Sequence, residues 1–233
     1  MRTRLHSLWV PLAAACFLFT TTASAAPITV PTGLNPGEQY RLAFVTSTTR
    51  DATSSNIADY NAFVTATANA VPELAELGIT WKAIGSTSAV DAQDNTHTNV
   101  VLDGVGIPIY LLNDTLFVSN NDDLWAPSPV NHSSLGVTEN GSSPGPLLVW
   151  TGTNTYGTTE PPYQLGEGNP ALGYSPSTSA GWIWGNYPSE EEEHHFYAVS
   201  DTTMTVIPEP GTATLLVLGL VGLAAAGRRR SLR

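Results

Sequence analysis

Four groupings of side chains in this chain have types and spacings that could support chemistry. Glu190-Glu191-Glu192-Glu193-His194-His195 sets four carboxylates beside two imidazoles, a donor set that suits a cation. Adjacent residues of an extended segment point to opposite sides, so His194 and His195 are poorly placed to share one metal, and a solvated acidic loop is the plainer reading. Asp91-Ala92-Gln93-Asp94-Asn95 and Asn120-Asn121-Asp122-Asp123 concentrate hard oxygen ligands in loops, as calcium requires. Asp94, Asn95, Asp122 and Asp123 are therefore calcium candidates; neither run has the spacing of an EF-hand loop, and solvated turn residues are the alternative. Trp182 and Trp184 stand two apart, so on a strand both indoles project to one face. Such a pair could stack sugar rings, with Tyr174 and Tyr187 nearby, or could equally fill a core.

Other chemistries lack their signatures. The chain has no His-Glu-x-x-His run, no serine in a nucleophile elbow and no glycine loop for phosphate. Two of its five histidines are adjacent and a third lies near the N-terminus, which leaves little for general base catalysis. A non-enzymatic role is the expectation, with no cofactor unless calcium. The rival reading is a secreted hydrolase of matrix polysaccharide that uses two loop carboxylates.

The elements that must position these residues can be read from periodicity. Residues 38–46 alternate through Tyr40, Leu42 and Phe44 as a first strand. Ile57, Tyr60, Phe63, Val64, Thr67 and Ala68 recur at three and four, a helix with Asn56 and Asp59 as a loose capping box. Pro72 opens a second helical turn that Gly78 ends, and a strand over 79–84 carries Trp81. Beyond residue 107 strands dominate. Residues 109–112 and 115–118 form a tight hairpin around Asn113-Asp114, and further strands cover 147–151, 181–185, 196–200 and 204–207. Long loops rich in Gly, Pro, Ser and Asn span 126–146 and 153–180.

Both ends carry hydrophobic addresses. Arg2 and Arg4, an apolar run over 8–19, and Ala23-Ser24-Ala25 make a secretory signal peptide over residues 1–26, with cleavage by signal peptidase after Ala25 or Ala26. Cys16, the only cysteine, lies inside that leader, so the exported domain has no disulfide. At the other end, Pro208-Glu209-Pro210 stops the fold, an apolar run fills 211–227, and Arg228, Arg229 and Arg230 follow. A helix of that length is about 25 Å long, a minimal membrane anchor, with its arginine end in the cytoplasm. Everything before Pro208 is then outside.

That order of Pro-Glu-Pro, short apolar helix and arginine cluster resembles the PEP-CTERM sorting signal of Gram-negative bacteria. The resemblance implies recognition and removal by an exosortase, in species that make exopolysaccharide or biofilm matrix, and delivery to the surface or matrix. Between the addresses, residues 27–207 retain only Arg41, Arg50 and Lys82 against nineteen acids, a net of sixteen negative charges. Such a surface repels phosphate backbones and excludes nucleic-acid binding.

One early helix pair followed by strands with long loops predicts a single α+β domain. Tyr40-Arg41-Leu42-Ala43-Phe44, Trp81-Lys82-Ala83-Ile84, Val149-Trp150-Thr151-Gly152 and Phe196-Tyr197-Ala198 resemble a C-type-lectin-like fold, in its disulfide-free, endostatin-like bacterial form. The resemblance implies antiparallel strands. The Glu-Pro-Asn or Gln-Pro-Asp tripeptide of calcium-dependent lectins is absent, so the fold alone does not imply sugar binding. The expected protein is an exported envelope or matrix component that binds extracellular polysaccharide or a protein partner, or is structural only.

Overall fold

The computed structural model describes residues 26–125 and 133–207. The expected signal peptide and membrane helix lie outside the described residues, apart from Ala26, which is exposed. Among the described residues no helix is long and apolar enough to cross a membrane.

The chain opens with strand β1 (Gln39–Val45), helix α1 (Ile57–Asn69), the single turn α2 (Pro72–Ala75) and strand β2 (Trp81–Ala83). Two further helical turns, α3 (Ala92–Asn95) and α4 (Val100–Asp103), lead to strands β3 (Ile109–Leu111) and β4 (Leu116–Val118), then to α5 (Asn121–Leu124). Strands β5 (Leu148–Trp150) and β6 (Leu172–Tyr174), a 3-10 turn (Ala180–Trp182), β7 (His195–Ser200) and β8 (Met204–Thr205) complete it. The architecture is mixed α+β. One curled sheet has the order β4-β3-β1-β7-β5-β6, with β2 also on β7 and β8 on β1.

The sheet is mixed rather than antiparallel. β1 runs parallel to β3 and β5 parallel to β7, whereas β1 and β7 are antiparallel. Parallel pairing needs a crossover, and the helical stretch between β1 and β3 supplies one.

Because β1 and β7 lie in the sheet's middle, both of their faces are covered and they read as nearly continuous apolar runs. On one face Tyr60 stacks on Phe196 at 5.1 Å and Phe44 meets Trp81 edge-on at 4.9 Å, under α1. On the other face Tyr197 packs against Trp182 at 5.4 Å, and Trp182 against Phe117 and Trp125. Helix α1 also completes the outer edge of β2. Thr65 Oγ1 accepts the Trp81 N–H at 3.0 Å and Asn61 Oδ1 accepts the Ala83 N–H at 2.8 Å, so backbone donors that would face a bare edge are satisfied.

Three local expectations change. Asn56 caps α1 by accepting the Ala58 N–H, but Asp59 turns to the Ser54 hydroxyl at 2.6 Å, so no reciprocal capping box forms. The β3–β4 link spans residues 112–115, and only Asp114 adopts positive φ, at 73°. A two-residue type I′ turn would need two such residues. Residues 181–185 are not a strand: the Trp182, Ile183 and Trp184 N–H groups bond to Ser179 and Ala180 carbonyls, so the segment closes on itself. Its backbone lies directly over Gly173 of β6, where a Cβ would overlap the Trp182 carbonyl oxygen.

Candidate functional site

The turn that removes 181–185 from the sheet also separates its two indoles. Trp182 is fully buried in the core, while Trp184 is half-buried at the surface. Its partners there are Tyr163 and Tyr187, with ring centroids 5.7 and 5.4 Å from the indole, both edge-on, and 4.2 Å from each other. Tyr163 is half-buried and Tyr187 is 38% exposed. Burial pushes the Tyr187 phenol up, and neighbouring Tyr163 and Glu160 add to the shift, so its hydroxyl is a neutral donor at physiological pH.

Backbone contacts fix this patch. The Leu172 N–H of β6 bonds to Asn186 O at 2.9 Å, and the Asn169 side chain donates to the carbonyls of Tyr187 and Pro188. From the other side the Ala171 N–H donates to Tyr163 O at 2.7 Å. Three aromatic rings with Glu160 and the Asn169 amide beside them form an amphipathic surface. Its ring faces suit apolar C–H faces, and its polar tips suit hydroxyls. Trp184 and Tyr187 share these ring contacts, whereas Trp182 belongs to the core. Tyr174 is 45% exposed but sits opposite Leu148 in the β5–β6 ladder, and is outside these ring contacts. Tyr163 escaped sequence reasoning. It lies twenty-one residues upstream of Trp184 in a loop without periodicity, and only the two prolines before it mark it.

The calcium candidates are spent differently. The buried Asn95 side chain donates to Ala83 O at 2.7 Å and pairs with Asn61, which ties α3 to α1 and β2. Asp94 accepts from the Asn99 amide at 2.7 Å, and Asp123 accepts from Asn120, the cap of α5, at 3.0 Å. Asp122 is exposed on the same turn. His194 faces Glu192 at 3.1 Å while His195 Nδ1 contacts Thr46 O at 2.6 Å, so the two imidazoles diverge. Among the described residues no group of three or more His, Cys, Asp or Glu could hold a metal ion.

A second feature is a cavity of about 200 Å³ at the N-terminal end of β1, lined by Arg41, His97, Asp103 and Asp201. Arg41 is only 5% exposed. Its Nε and one terminal nitrogen donate to Ser200 O, the Nε bond being 2.8 Å long, and the other terminal nitrogen reaches His97 O at 3.5 Å. Burial lowers the guanidinium to about 10, with Asp201 and Asp103 opposing the drop, so it stays charged at neutral pH. Asp201 in turn meets Lys82 at 3.8 Å and His97 at 3.6 Å. This network ties β1 to the β7–β8 corner. It is a structural clamp whose cation is balanced by carboxylates at longer range.

The Ala23-Ser24-Ala25 cleavage site and the sorting residues lie outside the described residues. The domain leads into that tail at Ile207, which is 81% exposed beside the start of β1. No curated protein matches the chain. A family comparison matches residues 206–230 to a PEP-CTERM protein-sorting motif. With Pro208-Glu209-Pro210 at its head and Arg228, Arg229 and Arg230 at its foot, that segment is a PEP-CTERM sorting motif, which implies an exported protein that is sorted via the membrane and processed by an exosortase.

Proposed function

We propose that this protein is a non-enzymatic component of the cell envelope or matrix whose domain binds extracellular polysaccharide. In this reading signal peptidase removes residues 1–26, residues 27–207 form the binding domain, and residues 208–233 form the sorting signal with a membrane helix over 211–227. The observation that carries the reading is the Tyr163, Trp184 and Tyr187 cluster, because its rings are held half-exposed rather than drawn into an otherwise well-filled core. Its position agrees: Leu172, which holds Asn186, pairs with Trp150, and Trp150 lies opposite Phe196 at the C-terminal end of β1. That end is away from the exit at Ile207, so an anchored domain would present the patch outward. The lectin-like reading of the fold belongs to the same proposal. It is supported by the first long strand lying beside the penultimate one at the sheet's centre, with long loops between.

A glycan array probed with the full chain in detergent tests the proposal. Tyr187→Ala should weaken retention about five- to tenfold, as loss of an aromatic contact of about 1 kcal/mol implies. The bound polysaccharide should keep its chain length. Equal retention by wild type and Tyr187→Ala removes the assigned site, and shortening of the polysaccharide identifies a hydrolase instead.

A further inference from the structure

Among the described residues, three exposed aliphatic side chains gather elsewhere, at α4 and the loop after it. Val101 is 90%, Leu102 72% and Val105 61% exposed, three large apolar side chains within five residues. Soluble domains seldom gather such groups at one projecting tip without a partner. The exposure is held in place by polar contacts. Asn99 caps α4 by accepting the Val101 N–H at 2.9 Å, and its own N–H donates to Asp103 at 3.0 Å. Asn121 fixes the other side: its amide donates to Gly104 O at 3.0 Å and its N–H to Val105 O at 2.7 Å. Gly106, at φ 79°, lets the chain pass against the Asn121 side chain, where any Cβ would collide. The tip is therefore a built projection.

Its place in the fold indicates what it meets. β1 and β3 are parallel with Arg41 opposite Ile109, so Val105 precedes Ile109 by as many residues as Gly37 precedes Arg41. Gly37 donates its N–H to Val206 O at 2.8 Å, next to the exposed Ile207. β4 runs antiparallel to β3 with Val118 opposite Ile109, which carries Asn121 past the same end. The apolar tip and the exit toward the tail thus share one end of the sheet. Only Pro208-Glu209-Pro210 separates Ile207 from the apolar run over 211–227. Three residues span at most about 10 Å, so a bilayer holding that run must lie close against this end of the domain.

We propose that Val101, Leu102 and Val105 dip into the outer face of the bilayer that holds residues 211–227 and orient the domain on it. The proposal rests on reading 211–227 as a membrane segment. Asp103 sits within the tip and Glu38 beside the exit, so the lipid surface it fits is zwitterionic rather than anionic.

Full-length protein carrying Cys16→Ser is reconstituted into phosphatidylcholine vesicles, with an environment-sensitive dye on Val101→Cys, Leu102→Cys or, at the far end before β7, Glu191→Cys. The expected result is co-flotation of all three chains, with lipid-borne quencher reducing the dye signal at 101 and 102 several-fold more than at 191. Equal quenching at the three positions in co-floating protein overturns the proposal while leaving the anchor intact. Failure to float overturns the anchor reading and the proposal together. A concentration-dependent blue shift at 101 and 102 in detergent without vesicles assigns the tip to a second copy of the chain and overturns the lipid contact.

Discussion

The fate of single side chains in this domain depends on whether each polar atom finds a partner. Tyr197 is fully buried in the aromatic layer beside Trp182, and its hydroxyl has no partner among the described residues. An unsatisfied buried hydroxyl costs about 1 kcal/mol or more, so Tyr197→Phe should stabilise the protein by about 1 kcal/mol in urea denaturation at pH 7. Burial also pushes the Tyr197 and Tyr60 phenols above their ordinary 10.0. Above that pH the unfolded chain releases protons that the folded chain keeps, so the stability these groups contribute is present below pH 10 and is lost as pH rises. Arg41 opposes this: lowered to about 10 from 12.5, it gives up its proton first in the folded state and gains stability between those values. The two tyrosines outweigh the single arginine. Urea midpoints should therefore fall between pH 9 and 11, and fall less steeply in Tyr197→Phe.

At the scale of elements, close backbone approach is the sensitive feature. Gly173 lets the 181–185 turn lie on β6, and that turn is what delivers Trp182 inward and Trp184 outward. Gly173→Ala forces Trp182 O away, and a loss of about 3 kcal/mol or more is expected, read as a drop of roughly 6–12 °C in thermal midpoint. Asn56→Ala removes only the cap of α1 and should cost about 1 kcal/mol by the same measurement. The contrast follows from reversibility. A lost cap exposes an N–H that water can serve, whereas a methyl group against a carbonyl oxygen must move two packed segments. α1 was legible from its 3.6-residue period, and β1, β2, β3, β4, β5, β7 and β8 because each lies in an apolar run of the sequence bounded by polar or turn residues. β6, the 3-10 turn and the single-turn helices α3, α4 and α5 were not, because they are short pieces within stretches whose composition is that of loops.

At the scale of the whole molecule, three residues, Pro208-Glu209-Pro210, stand between the strongly acidic domain and the apolar run over 211–227. Replacing Pro208, Glu209 and Pro210 together with alanine should leave the fold unchanged, since all the described strands and helices precede them, but should abolish tail removal. Mass spectrometry of the membrane fraction is then expected to find chains that retain Arg228, Arg229 and Arg230, where the wild type has lost them. A variant processed as completely as wild type would place the recognition outside that tripeptide.

The sequence by itself determined the sorting motif, the acidity of the domain and the identity of its main strands, since each of these is a local property of composition or pattern. Sheet order, parallel pairing and the meaning of Trp182 and Trp184 were decided only in three dimensions. The same indole serves as core or surface according to which distant backbone lies across it: Gly173 meets Trp182 across nine residues, and Tyr163 meets Trp184 across twenty-one. Such contacts are chosen by the packing of the complete sheet, and no stretch of chain holds that information alone.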